Sequence, residues 1–572
     1  MRERVVESSG HWDDEVDVVV AGSGAAGLTG AVVSALAGAH VVVLEKSDLV
    51  GGTTAKSGGG AWIADNHHMP EVGVTDSREE ALTYLRALTG GRADDSMLQT
   101  LVDRGKEMAR HLEDNGVVHF RAYPSVGGTL DYYPDVPGSR HGGRPLDSGR
   151  FPAAELGEWA DRIQLGVSSF SAVDKFDTYA QRGFTKPKRP TFVDVGHVVF
   201  EDGGARTHFA NGTSLVAQLL RGCLRTGVRV MTGTPVVGLI RDAGRIAGVV
   251  ASRDGAPVRI RARRGVLIAT GGFEWNPELC DRFLDRPLET SCGVRTNTGD
   301  GHLLGEAAGA ALANMTDAWW QVVAKVRDAR TGLVESVHVR AERCLPHSII
   351  VDTSGRRFFN ESVNYYEAHR GFGAKADPDR HLPAWLICDQ QYLDKHGLLT
   401  GAPPSPTDPP EWLVTADTLA ELAARIGVDA GGLADEVRRF NGFAEKGEDL
   451  DFGRGSSTWD KIWGDPDHLP NPALGSVAVS PFHAIEMHAG VMGTKGGLRI
   501  DVGGRVLDQA GEPIPGLFAA GNAAAGSVPG AYPGPGSTIG PAMTFGYLVG
   551  RQLGTDGAAV PAGAGRRERS ER

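Results

Sequence analysis

An α/β fold is predicted, with a Rossmann-like nucleotide-binding domain that is discontinuous in sequence and an α+β catalytic or capping domain inserted into it. Three features of the 572-residue chain carry that prediction. A strand, glycine turn, helix and second strand stand in order at the front, in "VDVVVAGSGAAGLTGAVVSALAGAHVVVLEK". Two later apolar runs, "GVLIATGG" and "GLFAAGN", end in small residues, as strands do when their carboxyl ends meet a ligand. The interval between them changes character, to helical patterns and a turn sequence.

Residues 16–21 are rich in β-branched side chains, the mark of a parallel strand buried on both faces. Gly22, Gly24 and Gly27 then form G-x-G-x-x-G around Ser23, Ala25 and Ala26, residues 25–37 have helical composition, and Val41–Leu44 is a second buried strand ending at Glu45 and Lys46. Gly22 permits the tight turn, Gly24 lets a pyrophosphate reach the backbone, and Gly27 allows helix and strand to pack closely. The helix N-terminus faces the anion with unpaired N–H groups, and Glu45 is expected to accept hydrogen bonds from ribose hydroxyls. A second glycine and hydroxyl loop follows at 51–60, "GGTTAKSGGG", with Gly52, Thr53, Thr54, Ser57, Gly58 and Gly59. A nicotinamide nucleotide has no use for such a loop, whereas a flavin must be wrapped along its ribityl chain and ring, so the expected cofactor is FAD. Ala269, Thr270 and Gly271, then Gly521 and Asn522, bring two more strand ends to the same site. Ser537, Thr538 and Ile539 complete the expected cofactor contacts.

The expected division is 1–285 and 470–556 for the two parts of the FAD domain, 286–469 for the inserted domain, and 557–572 for a disordered Gly/Ala-rich charged tail. Within the insertion, "SIIVDTSGRRFFN" reads as a hairpin turning at "DTSG", and residues 416–426 and Ala430–Lys446 read as helices. Residues 155–200 read as a packed excursion of the FAD domain, or as a lid or membrane-facing helix. A net charge of −12 and the lack of any nucleic-acid motif exclude a nucleic-acid partner, and the apolar region 16–44 is too interrupted to span a membrane, leaving at most peripheral membrane contact. Five scattered cysteines without a CxxC pair, and a polar, acidic N-terminus without an apolar core, point to a cytoplasmic protein. His67-His68 lacks a spaced carboxylate or cysteine partner, so no metal is expected.

Tyrosine is scarce, 10 residues in all, and six of them lie in "LDYYPDVPG", "FFNESVNYYEA" and "GAYPGPGSTIGPAMTFGY". Together with GSGAAG, GGTTAKSGGG, GDGHLLGEAAGAAL with AWW, SGRRFFNES and GTKGGL, these segments make nearly the whole chain resemble the 3-ketosteroid Δ1-dehydrogenases, within the fumarate-reductase-like FAD oxidoreductases. The resemblance implies 1,2-desaturation of a 3-ketosteroid, with a proton leaving C2 to tyrosine and a hydride passing from C1 to flavin N5. It assigns the base to Tyr365, five residues after Asn360, and the C3 carbonyl site to Tyr532 and the N–H of Gly536. Tyr132 or its neighbour Tyr133 assists the base.

The chemistry stands beside the resemblance. Abstracting a proton next to a ketone needs two donors aimed at one oxygen, which a phenol and a glycine N–H supply. Pro533 and Pro535 limit the loop's freedom and preorganise those donors. A free tyrosine titrates near pH ~10, so the base needs a second hydroxyl to share developing charge. Other readings remain open: a 3-ketosteroid Δ4-(5α)-dehydrogenase, a desaturase of another cyclic ketone, a fumarate-type reductase, or a flavin-binding protein without catalysis. Trp319-Trp320 reads either as cavity wall or as core, His488 as a flavin neighbour, and Lys495 as a charge near the flavin N1–C2=O edge, a place a backbone dipole could fill instead. A quinone or comparable acceptor is expected, since no nicotinamide site or second redox centre is legible. The sequence leaves the oligomeric state open.

Overall fold

The computed structural model describes residues 4–124, 130–166, 198–201, 205–327, 331–340, 342–397 and 410–555. The expected tail at 557–572 and most of the 155–200 excursion lie outside the described residues.

A nine-stranded sheet forms around the front motif. The strand Asp14–Ala21 pairs in parallel with Val41–Leu44 on one side and with Ala256–Ile268 on the other. The first half of Ala256–Ile268 forms an antiparallel ladder with Arg245–Arg253, while its last three residues pair in parallel with Pro513–Ala519. Four parallel strands thus end side by side, at Ala21, Leu44, Ile268 and Ala519, and the chain runs from each end into a segment expected at the cofactor. Val18, Val19, Val20, Val42 and Val43 have no exposed surface, as a strand covered on both faces requires. The helix Ala25–Leu36 covers one face and packs on the last helix, Ile539–Gly554; a Cβ on Gly546 would lie 2.5 Å from the Ala26 carbonyl oxygen, so glycine sets that approach.

A seven-stranded sheet forms the second layer system. Its long central strand, Phe482–Thr494, pairs with Ala318–Arg327 on one side and Ala384–Asp389 on the other, and Ser348–Val351 lies beyond. Residues 482–494 fall in the segment expected to return to the FAD domain at 470, yet their ladder partners are all in the second sheet; the first sheet is rejoined only from Arg505. The "DTSG" turn forms, with Ser354 N–H donating to Asp352 Oδ1, but no hairpin follows. Ser348–Val351 finds its partner at Ala384–Asp389 instead, because Arg357 and Glu361 after the turn are drawn into a buried charge cluster rather than a ladder. The helix Ala430–Lys446 matches its expected bounds, and Leu419–Ile426 begins after its Thr418 cap.

Candidate active site

One cavity runs from the four strand ends to the three tyrosine segments, and every residue expected at the cofactor lines it except Gly27 and Ser537. Gly27 faces inward, where a Cβ would run into the Gly22 carbonyl. Ser537 turns its hydroxyl back on Gly534, accepting from its N–H at 2.9 Å and donating to its carbonyl at 2.8 Å. The walls fit a dinucleotide. Gly22 takes φ +104°, and a Cβ on Gly24 would meet only Thr54 Oγ1 at 3.5 Å, leaving the approach to that backbone open. The N–H groups of Gly24 and Ala26 have no partner among the described residues, the state in which a helix N-terminus receives an anion. Glu45 accepts from Ser23 N and Oγ at 3.0 and 2.6 Å, which aims its carboxylate along the cavity wall. Thr54 Oγ1 accepts from Ala25 N, and Thr53 Oγ1 accepts from Val294 N and Asn297 Nδ2, so the second glycine loop is pinned to the first while both threonine protons stay free to donate.

Beyond this cradle the three tyrosines meet. The Tyr132 and Tyr365 hydroxyls are 2.5 Å apart, and their rings are T-shaped at 4.9 Å. The Tyr532 ring lies 5.2 Å from both, with its hydroxyl 3.2 Å from Thr538 Oγ1. Gly536 takes φ +89°, where a Cβ would collide with Gly60 and Trp62, and its N–H has no partner among the described residues. Burial raises Tyr365 well above the ordinary phenol value, and the neighbouring Tyr132 and Tyr532 phenols push the same way. Tyr532 is also raised by burial, opposed by its bonds to Thr538 and Tyr365 and by the charge of Arg340. Tyr133 turns away and donates to Glu367 Oε1 at 2.6 Å, so of the adjacent pair it is Tyr132 that meets Tyr365.

Buried polar groups hold these positions. Pro533 O accepts from Tyr132 N at 2.9 Å and from Tyr84 Oη at 2.6 Å, tying two tyrosine segments together. Asp317 accepts from Tyr366 Oη at 2.9 Å and from Gly530 N at 2.8 Å, and pairs with Lys495 at 3.2 Å. Lys495 also donates to Ala531 O at 2.6 Å and sits over the Trp319 and Tyr366 rings. It does not line the cavity expected to hold the flavin: with its charge answered by Asp317, it anchors the Tyr532 loop. Asp317 carried no signal in sequence, because apart from the adjacent Ala318 N–H its partners come from distant segments.

Other expectations resolve as plainly. Trp319 backs Tyr532 at 4.9 Å, edge to face, and Trp320 stacks on His369 at 5.3 Å, so the pair is core behind the cavity. His488 is not at the cavity; its Nδ1 meets Glu289 Oε2 at 2.8 Å. His67 and His68 do have a carboxylate partner, Glu113, supplied by the helix Asp95–Asp114 and invisible to a search for close spacing. Sequence reasoning missed Ser336, His338 and Arg340, which also line the cavity. Arg340 follows "VHV", a pattern that gives no hint of an inward cation.

Residues 17–539 match the family model described as FAD binding domain. The chain is 41% identical over 563 residues to a 4-oxocyclohexanecarboxylate 2-dehydrogenase of Sinomonas cyclohexanicum, covering 96% of this chain and 94% of that one. It is 40% identical over 561 residues to a 3-oxosteroid 1-dehydrogenase of Mycobacterium tuberculosis, covering 94% and 97%. Among solved structures, a 3-ketosteroid delta1-dehydrogenase from Sterolibacterium denitrificans in complex with 1,4-androstadiene-3,17-dione superposes with a TM-score of 0.84 at 31% identity, over 95% of this chain and 99% of that one. No helix among the described residues is long and apolar enough to cross a membrane.

Proposed function

The chain belongs to the FAD binding domain family and, within it, to the 3-ketosteroid Δ1-dehydrogenase family of FAD-dependent oxidoreductases, and from that premise we propose that it desaturates the 1,2 bond of a 3-ketosteroid. The observation that carries the reading is the meeting of Tyr132, Tyr365 and Tyr532 with the Gly536 N–H, unpartnered among the described residues, in a cavity continuous with the nucleotide cradle. Tyr532 Oη and Gly536 N–H donate to the ketone oxygen and stabilise the enolate as it forms. Tyr365, as the phenolate, takes the proton from the adjacent carbon, and Tyr132 donates to the Tyr365 oxygen and spreads its charge. Bound FAD supplies the hydride acceptor for the neighbouring carbon, and the electrons leave to a quinone or comparable acceptor. Anaerobic addition of 4-androstene-3,17-dione should bleach the oxidised flavin band and yield the 1,4-diene. Retention of the band, with the flavin still reducible by dithionite, would count against a steroid substrate, and efficient reduction of NAD would count against the quinone.

Arg340 favours a second reading, a small cyclic ketone carrying a carboxylate. Its guanidinium lies over the Trp463 ring, 4.4 Å from the centroid, and it lines the cavity with its charge felt at Tyr532. A cation beside the ketone donors suits an anionic substrate better than the hydrocarbon skeleton of a steroid, in line with the Sinomonas relative's name. Arg340→Leu separates the two readings. On 4-oxocyclohexanecarboxylate it should lower kcat/KM about 100-fold, the cost of a lost charge-assisted contact, and on a steroid it should leave kcat/KM unchanged or raised. Wild-type bleaching by the steroid alone would remove the second reading.

A further inference from the structure

We propose that His67, His68 and Glu113 form a divalent-metal site, of a composition that suits Zn²⁺, apart from the catalytic cavity. The three side chains each offer a donor atom, and these atoms lie within 4.8 Å of one another. The segment 64–72 brings the two histidines, with ring centroids 4.1 Å apart, and the last turn of Asp95–Asp114 brings the glutamate.

His68 makes the case. Its Nε2 lies 2.8 Å from Glu113 Oε1 and its Nδ1 lies 3.0 Å from Glu71 Oε1. A neutral imidazole has one N–H, so it can donate to one of these carboxylates and must turn a lone pair on the other. Two arrangements remove that conflict: a doubly protonated ring, or a cation between one nitrogen and a carboxylate. The rest of the cluster favours the cation. Glu113 Oε2 comes within 2.7 Å of His67 Nε2, yet it is buried and has no hydrogen-bond partner among the described residues. Two donors close together but unaligned are placed as ligands are, and a metal at ~2.0–2.2 Å from each needs them to open by only about half an ångström. Glu71 then takes the outer position, accepting from the far N–H of a ligating His68, the arrangement that fixes a metal-bound imidazole's tautomer. The side chains of His67, His68 and Glu113 are 26%, 11% and 15% exposed, leaving water access to an open coordination position. Asn66 holds the segment in place, donating to Ile63 O and Gly143 O and accepting from His68 N.

The bound ion would clip this segment to the helix. Trp62, at its start, donates to Gly536 O at 3.1 Å, so the clip supports the strand behind the ketone-binding loop.

The test uses the full-length FAD-loaded protein without an affinity tag, stripped with chelator. Titration with Co²⁺ should give saturable ligand-field bands to the red of the flavin absorption at one equivalent, displaced by Zn²⁺, and Zn²⁺ should raise the Tm. Glu113→Gln and His68→Ala should abolish the bands. Glu71→Gln, at an exposed side chain that touches no ligand atom but His68 Nδ1, should weaken affinity about 10- to 100-fold with wild-type folding and flavin content. Absence of stoichiometric Co²⁺ bands in the wild type would overturn the proposal; unchanged binding in Glu113→Gln and His68→Ala would overturn it by placing the ion elsewhere.

Discussion

Tyr365 carries the account's chemical burden under an unfavourable balance. Burial and two neighbouring phenols raise its pKa, so the deprotonated form proposed as the base is scarce at neutral pH and grows as pH rises. The expected kcat/KM profile therefore climbs through the alkaline range without a plateau below pH ~10; a plateau near neutrality would assign the limiting base to another group. Tyr132→Phe removes the hydroxyl at 2.5 Å and should lower kcat more than it raises KM, because that hydrogen bond matters most when charge develops on Tyr365. That Tyr532, Tyr365 and Gly536 would line one cavity was legible only through the family resemblance of the segments that hold them. The choice between Tyr132 and Tyr133 was not, since alternation along an irregular loop is set by Pro533 O accepting from Tyr132 N. Lys495 shows the converse: a basic residue in the right loop, whose direction depended on an aspartate 178 positions away in sequence.

At the scale of the element, the glycines of the first turn divide by what their missing Cβ would meet. At Gly27 it would strike the turn's own carbonyl, and at Gly24 it would face the cavity past Thr54. Gly27→Val should therefore give little folded protein, whereas Gly24→Val should give a folded, monodisperse protein with no yellow cofactor; equal flavin content in Gly24→Val and wild type would contradict the placement. The "SGRRFFNES" segment is held differently, by charge. Arg357 makes paired contacts at 2.7 Å to Glu361 and reaches Asp449 at 2.8 Å, with Arg454 3.5 Å from Glu361, all fully buried. Glu361→Ala leaves Asp449 as the remaining carboxylate of the cluster against two buried guanidinium groups and should cost about 3–5 kcal/mol by denaturant titration. The motif was readable as a signature, but its cluster was not, because Asp449 and Arg454 follow a separate helix. The hairpin expected at "DTSG" failed for the same reason: the turn residues were read correctly, and the strand's long-range partner outweighed the local pattern.

Across the whole molecule, the parallel strands at the front were legible because burial on both faces leaves a valine signature and glycine spacing leaves a turn signature. The second sheet was not, because its central strand, Phe482–Thr494, gathers partners from residues 290–291, 318–327, 384–389 and 414–416, a pairing no local window contains. Both units also bury carboxyls. Desolvation pushes Glu274 and Glu342 up to about 7. The folded protein thus holds protons on these two groups that the unfolded chain releases near pH ~4.3, and their contribution to stability should fall as pH rises from about 5 to 7, a negative slope set against the buried His302, His369, His396 and His483, whose lowered pKa values act the other way. Glu274→Gln and Glu342→Gln should each flatten that slope in a Tm-against-pH series; a slope unchanged in both would assign it to other groups. The central claim is that the tyrosine cluster performs the proton abstraction at the ketone. The most direct measurement is anaerobic flavin bleaching by the wild type's best ketone substrate in Tyr365→Phe. That variant should keep wild-type flavin content and bleach about 1,000-fold more slowly; near-normal bleaching with an unchanged product would assign the proton abstraction to another group.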